Sequence, residues 1–151
     1  MGLLYMGFGR FLIKMNFKDF IKQGTVRKAS IDEALAKSLI KNAKEDMKFF
    51  NSLNINENSC RRLMTNYYDI LRSILEAIAT LDGYKIYSHE AFAYFLKEEN
   101  LAVKFDRFRK IRNSINYYGS DISIEETKEN ISEIKDMIKI LNNKYLKEVL
   151  R

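Results

Sequence analysis

Residues 104–119, KFDRFRKIRNSINYYG, hold the densest set of side chains suited to handling an anion. At 100° per residue, Phe105, Phe108, Ile111, Ile115 and Tyr118 share one helical face, so the face turned toward a core is already supplied. Arg109, Arg112, Asn113, Asn116 and Tyr117 fall on or beside the opposite face. That side offers guanidiniums, amides and a phenol within about two turns. Guanidiniums match phosphate oxygens bidentately. Amides can hold a ribose or a base edge, and a tyrosine can stack on a base. A solvated basic face that ends at Gly119 is the plain alternative. Against it stand Asn113 and Asn116, poor helix formers set in mid-helix, and the Tyr117–Tyr118–Gly119 ending, which puts bulky aromatics where a simple surface needs none. Locally unfavourable choices gather at functional sites.

Other residues bear on the same chemistry. Tyr67, Tyr68, Asp69 and Arg72 form a second polar cluster, with Tyr68 and Arg72 spaced i,i+4 so that they can stack. They serve either the packing of their helix against the Arg-Asn helix or the binding of a ligand. His89 is the only histidine. It sits just after Ser88 at a helix start, and two readings stay open: it anchors the preceding loop, or it enters the Arg112 cleft as an acid or base, imidazole being the side chain that titrates near neutral pH. Arg61 and Arg62 open their helix against its dipole, as a phosphate contact or for solubility. Cys60 beside them has no evident base to make it a catalytic thiol.

Other chemistries find no support. One Cys and one His exclude an intramolecular disulfide and a dedicated Cys/His zinc site. The acidic residues are scattered and suggest no metal cluster. There is no Gly-rich phosphate loop, His-Glu-x-x-His, nucleophile elbow or recognition helix. Neither metal nor cofactor is expected.

These side chains need helices to position them. The chain has no proline, which suits long helices with short joins. A short helix at about 17–23 stops at Gly24. A second opens at Ser30, read as a capping box with Glu33, and carries an apolar stripe of Leu35, Leu39, Ala43, Met47 and Phe50. A third spans about 59–82, its broad apolar face built from Leu63, Tyr67, Ile70, Leu71, Ile74, Ala77, Ile78 and Leu81, and it ends at Gly83. Ser88 caps an element covering 91–98, and the Arg-Asn helix follows at about 101–118, stopped by Gly119. The last helix opens on a second capping box, Ser123 to Glu126. Its heptad-like seam is Ile124, Thr127, Ile131, Ile134, Ile138, Leu141 and Tyr145. No sustained period-2 alternation is present, so no sheet is expected. The expected fold is all-α: an antiparallel up-and-down bundle of four to five helices in a single domain over 26–151, behind an N-terminal extension over 1–25.

The whole-chain properties agree. The sequence has 151 residues, 46% hydrophobic and 30% charged, a globular balance. Lys and Arg outnumber Asp and Glu by 26 to 20, a net +6 that is compatible with a polyanionic partner without establishing one. The first 14 residues are apolar but broken by Gly2, Gly7, Gly9 and Arg10, too short for a spanning helix and unlike a signal peptide. They suggest a start-site ambiguity before Met15, with an edge strand or a dimer arm as the alternative. No membrane association is expected, and a reducing cytoplasm is the simplest compartment.

The run Arg109-Lys110-Ile111-Arg112-Asn113-Ser114-Ile115-Asn116-Tyr117-Tyr118-Gly119 resembles the signature of the HEPN (higher eukaryotes and prokaryotes nucleotide-binding) superfamily. Tyr67-Tyr68, the Leu81-Asp82-Gly83-Tyr84-Lys85 turn and Ser88-His89-Glu90-Ala91 are similar to the family's helix, turn and following helix, so the resemblance runs over about 30–150. It is to small stand-alone prokaryotic or archaeal members. The resemblance implies a helical bundle that commonly dimerises, and RNA or nucleotide as ligand. Many members are metal-independent endoribonucleases, and some form toxin–antitoxin pairs with a nucleotidyltransferase-like partner. Arg112 and Asn113 match the start of the family motif, and Tyr117 stands where its histidine belongs. In the family mechanism the Arg stabilises phosphate charge and the His moves the 2′-hydroxyl proton. A phenol, which ordinarily titrates near about 10, is a poor substitute. The expectation is an RNA- or nucleotide-binding dimer with a degenerate ribonuclease motif. Arg112, Tyr117 and His89 are its candidate catalytic residues, and Arg109, Arg112, Asn113, Asn116, Tyr68 and Arg72 its candidate binding residues. The alternative is a non-catalytic helical interaction module working with a nucleotidyltransferase-like partner.

Overall fold

A computed structural model describes residues 3–5, 11–13 and 15–150. Strands β1 (Leu3–Tyr5) and β2 (Phe11–Ile13) pair antiparallel, and the rest of residues 1–14, on which the start-site and dimer-arm expectations depend, lies outside the described residues. Helix α1 (Phe17–Gln23) is capped by Asn16 and Asp19 in reciprocal hydrogen bonds and ends at Gly24 in the left-handed region, at φ 80°. Strand β3 (Val26–Lys28) follows. The remaining elements are α2 (Glu33–Asn51), α3 (Cys60–Leu81), β4 (Tyr84–Ile86), α4 (His89–Phe95), α5 (Glu99–Tyr118) and α6 (Ile124–Tyr145). The chain is mostly helical, as expected, and α3 lies at its centre against α2, α4, α5, α6 and β4. Its apolar positions wrap too much of the helix for a single stripe, and Leu63, Met64, Tyr67, Tyr68, Leu71 and Leu75 are all buried. The seam of α6 is buried from Thr127 to Leu141.

The structure departs from the sequence expectation in four places. First, α2 is capped by Asp32, whose Oδ1 accepts from the Leu35 backbone N–H at 2.9 Å, and not by Ser30, which is exposed outside the helix. Its buried line is Ala36, Ile40 and Ala43, with Leu35 left exposed: the two alanines let α2 approach α3 closely, and the larger residues are turned to the flanks. Second, α4 stops at Phe95 because Leu96 is extended, and α5 opens earlier, at Glu99. Third, Tyr118, placed on the core face by its spacing, is the last residue of α5 and is 83% exposed. Fourth, the expectation of no sheet fails: besides β1 and β2, β3 pairs antiparallel with β4 in the register Val26↔Ile86, Arg27↔Lys85 and Lys28↔Tyr84. Strands of three residues are too short to display a period. The local signal was that each follows a helix-ending glycine, Gly24 or Gly83.

This ribbon sets where α4 begins. The Ala29 N–H donates to the Gly83 carbonyl and the Tyr87 N–H to the Thr25 carbonyl, both at 2.8 Å, so the chain is pinned on both sides of β4 just before Ser88 caps α4. Gly83 turns α3 into β4 at φ 85°, and a Cβ there would lie 3.4 Å from the Ala29 carbonyl oxygen. An L side chain in that conformation costs about 1–2 kcal/mol. Gly83→Ala is therefore expected to lower stability by that amount in chemical denaturation.

Candidate functional site

The site is assembled where α5 crosses the middle of α3 and the start of α4. Phe105 and Phe108 are completely buried and seat α5 in the core, and the Phe105 ring lies 5.5 Å from that of Tyr68 on α3 and 6.0 Å from that of Phe92 on α4. With those aromatics turned inward, the next turns of α5 present Arg109, Arg112 and Asn113 toward the first turn of α4. Ser88, His89, Glu90, Arg109, Arg112, Asn113 and Tyr117 together line a cleft of about 270 Å³.

The arginines around this cleft differ in their commitments. Arg109 is clamped by Asp106, its Nε 2.9 Å and its Nη2 2.7 Å from the same Oδ1, and Lys110 holds the other carboxylate oxygen at 3.1 Å. Arg72 pairs with Glu76 at 3.4 Å, and the same carboxylate accepts from Lys85 at 2.9 Å. Arg112 makes no ion pair among the described residues. Its Cζ sits 5.7 Å from the centre of the Tyr68 ring, and Nη1 reaches Asn113 Oδ1 only at 3.5 Å, the outer limit of a hydrogen bond. Its Nε is buried with no hydrogen-bond partner, as are Arg72 Nε and Asp69 Oδ1 nearby. A guanidinium held on an aromatic face with spare donors is ready to accept an oxyanion.

Beneath the cleft, the hydroxyl of completely buried Tyr68 lies 3.2 Å from His89 Nδ1. Burial pushes the Tyr68 phenol far above its ordinary range, although Arg72, Arg112 and Arg109 pull the other way. It therefore keeps its proton at any physiological pH. Burial also lowers the His89 imidazole, and Arg72, Arg112 and Arg109 lower it further against a smaller opposing effect of Glu76. Burial raises the Asp69 carboxyl, with Arg72 and Arg112 opposing.

The structure thus brings together five of the eight residues picked out by sequence: His89, Arg109, Arg112, Asn113 and Tyr117. The other three stand elsewhere. Asn116 is exposed on α5 and does not line the cleft. Tyr68 is buried under it, so a ligand can reach it only through His89 or Arg112. Arg72 does not stack on Tyr68; Arg112 takes that position, and Arg72 is turned to Glu76. Tyr117, 70% exposed, stands at the rim with no hydrogen bond to His89 or Arg112. Exposed Arg61 and Arg62 and buried Cys60 lie outside the cleft. Sequence reasoning missed Asp106, whose i,i+3 spacing from Arg109 was the available signal, and Glu76, i,i+4 from Arg72. Among the described residues no three His, Cys, Asp or Glu side chains converge in a way that could hold a metal ion, and no helix is long and apolar enough to cross a membrane.

No protein-family model, curated protein or solved structure matches the chain.

Proposed function

We propose that this protein is a HEPN-like RNA-binding protein that seats a phosphate group of single-stranded RNA, or of a nucleotide, on Arg112 in the cleft between α3, α4 and α5. The observation that carries the reading is the state of Arg112. It is the cleft arginine without a carboxylate partner, it rests on an aromatic face, and its buried Nε is unused. A half-buried guanidinium whose Nε lacks a partner is under-satisfied unless something else compensates it, and a phosphate is the anion its fork fits best. Asn113 beside it suits a ribose or base edge. Tyr117 and Tyr118, exposed at the end of α5, suit stacking of an unpaired base. The net charge of +6 favours a polyanion. In the same reading α2, α3, α5 and α6 form an up-and-down bundle in a cytoplasmic protein, and two copies associate, as the HEPN resemblance implies. The groove that runs past Phe17, Tyr94, Val103 and Ile111, edged by charged residues such as Glu99, Asp106 and Lys110, offers a mixed apolar and charged surface for that association.

The test is the affinity of the purified chain for a short fluorescent single-stranded RNA in EDTA, measured by anisotropy across a salt series. Binding through two or three phosphates is expected to weaken by about tenfold between 50 and 200 mM salt. No binding at 50 mM salt, or binding indifferent to salt, overturns the reading.

A further inference from the structure

The hydrogen bond between Tyr68 and His89 has a direction, and the direction decides what His89 can do. Tyr68 is completely buried, and its hydroxyl has one hydrogen-bonding contact among the described residues, His89 Nδ1 at 3.2 Å. If Nδ1 carried the proton and donated, the phenol O–H would be left buried and unpaired, at the full desolvation penalty. The satisfied arrangement has the phenol O–H donating and Nδ1 accepting. Neutral imidazole carries one N–H, so that proton is then on Nε2. The nitrogen that faces away from Tyr68 is a donor with no lone pair to take up a proton.

Resting on the reading above, we propose that Tyr68 holds His89 in its Nε2–H form, so that His89 donates a hydrogen bond to the phosphate bound by Arg112 and does not act as a proton acceptor. The cleft then offers an oxyanion three donors: the Arg112 guanidinium, the Asn113 side-chain N–H and His89 Nε2–H. This answers the question that Tyr117 raises in the motif. The histidine that lines this cleft comes from α4 and reaches it in a form suited to binding an anion.

The groups that face His89 agree. Arg72 on α3, and Arg109 and Arg112 on α5, disfavour the imidazolium; Glu76 on α3 favours it, while Lys85 on β4 is committed to Glu76. Asp69 beside Tyr68 and Glu90 on α4 are the remaining carboxylates at the cleft. Protonation at Nδ1 would also force the Tyr68 O–H to give up its acceptor. A bound phosphate opposes the arginines, so it moves the His89 titration upward, and Nε2–H remains a donor in both charge states.

Because the chain has one histidine, its ring signals are unambiguous. The experiment is two-bond nitrogen–proton NMR of the ¹⁵N-histidine-labelled full chain at pH 7, alone and with inorganic phosphate, AMP or a short single-stranded RNA, repeated for Tyr68→Phe; RNA affinity by anisotropy is compared for the parent, His89→Gln and His89→Leu. The free protein is expected to show the Nε2–H tautomer. Each probe that binds is expected to shift Nε2 and raise the titration midpoint, and the arms rank phosphate, nucleotide and RNA as its source. Tyr68→Phe is expected to lose the tautomer bias. His89→Gln, which keeps a donor near Nε2, should bind within about threefold of the parent, while His89→Leu should bind about tenfold or more weakly, the effect of losing a hydrogen bond to a charged group. An Nδ1–H tautomer or an imidazolium in the free protein overturns the inference and leaves RNA binding standing. So does binding that leaves the His89 signals unmoved. If none of the three probes binds, the functional reading falls and the inference falls with it.

Discussion

Arg112→Ala is expected to weaken binding of single-stranded RNA by about 10- to 100-fold, the effect of losing one charge-assisted, two-pronged contact to phosphate. Fold stability should change little, because Arg112 has no ion-pair partner among the described residues and its contact with Tyr68 is worth about 0.5–2 kcal/mol. That separation distinguishes a binding residue from a structural one. Arg112→Lys should recover only part of the affinity, since an ammonium carries the charge without the planar fork. Arg109→Ala should weaken binding less, because Asp106 already engages that guanidinium. A second readout comes from His89. Arg112 is one of the three charges that lower its pKa, so Arg112→Ala should move the His89 titration upward. Anisotropy with labelled RNA measures the first effect and one-dimensional proton NMR of the imidazole the second.

Phe105→Ala is expected to give the largest loss of stability of any substitution near the site, about 3–5 kcal/mol, the range for truncating a fully buried aromatic. Its ring is completely buried and bridges Tyr68 on α3 and Phe92 on α4, so the cavity left behind sits where the three site-bearing helices meet. Few domains have stability to spare on that scale. Phe49→Ala, by contrast, removes a ring that is 59% exposed and should stay within about 0.5 kcal/mol of the parent. Denaturant melts of the variants make the comparison. Any Phe105→Ala protein that still folds should also bind RNA poorly, because the support under Tyr68, and so the Tyr68–His89 contact, is lost.

The long helices were legible because their signals are repeated many times along the chain. The bounds of α1, α3 and α6 follow from apolar periodicity closed off by Gly24, Gly83 and Ser123, each a residue with a specific backbone or capping role. The errors fall where a decision rests on one or two residues. Ser30 and Asp32 are both good caps two positions apart, and only packing of Ala36 and Ala43 against α3 selects the second. The β3–β4 ribbon is three residues deep and held by pairing across the chain, which no local window contains. At the site, residue types on α5 were enough to single out Arg109, Arg112 and Asn113, since all three share one helix. The sequence offered His89 as a choice between a loop anchor and a cleft residue. Its placement depends on the ribbon that sets the start of α4, and so on the element that was missed. Helical angles could not separate Asn116 from its neighbours, because whether a polar residue lines a cleft or faces water depends on the second wall.

The most direct test of the cleft is backbone amide NMR of the labelled chain titrated with a short single-stranded RNA in EDTA. The perturbed signals are expected to gather at residues 88–90 and 109–118, with α2 and α6 unmoved and the response in Arg112→Ala displaced to about 10- to 100-fold higher RNA concentration. Perturbations centred on α2 or α6, or none at saturating RNA, would contradict RNA binding in the cleft.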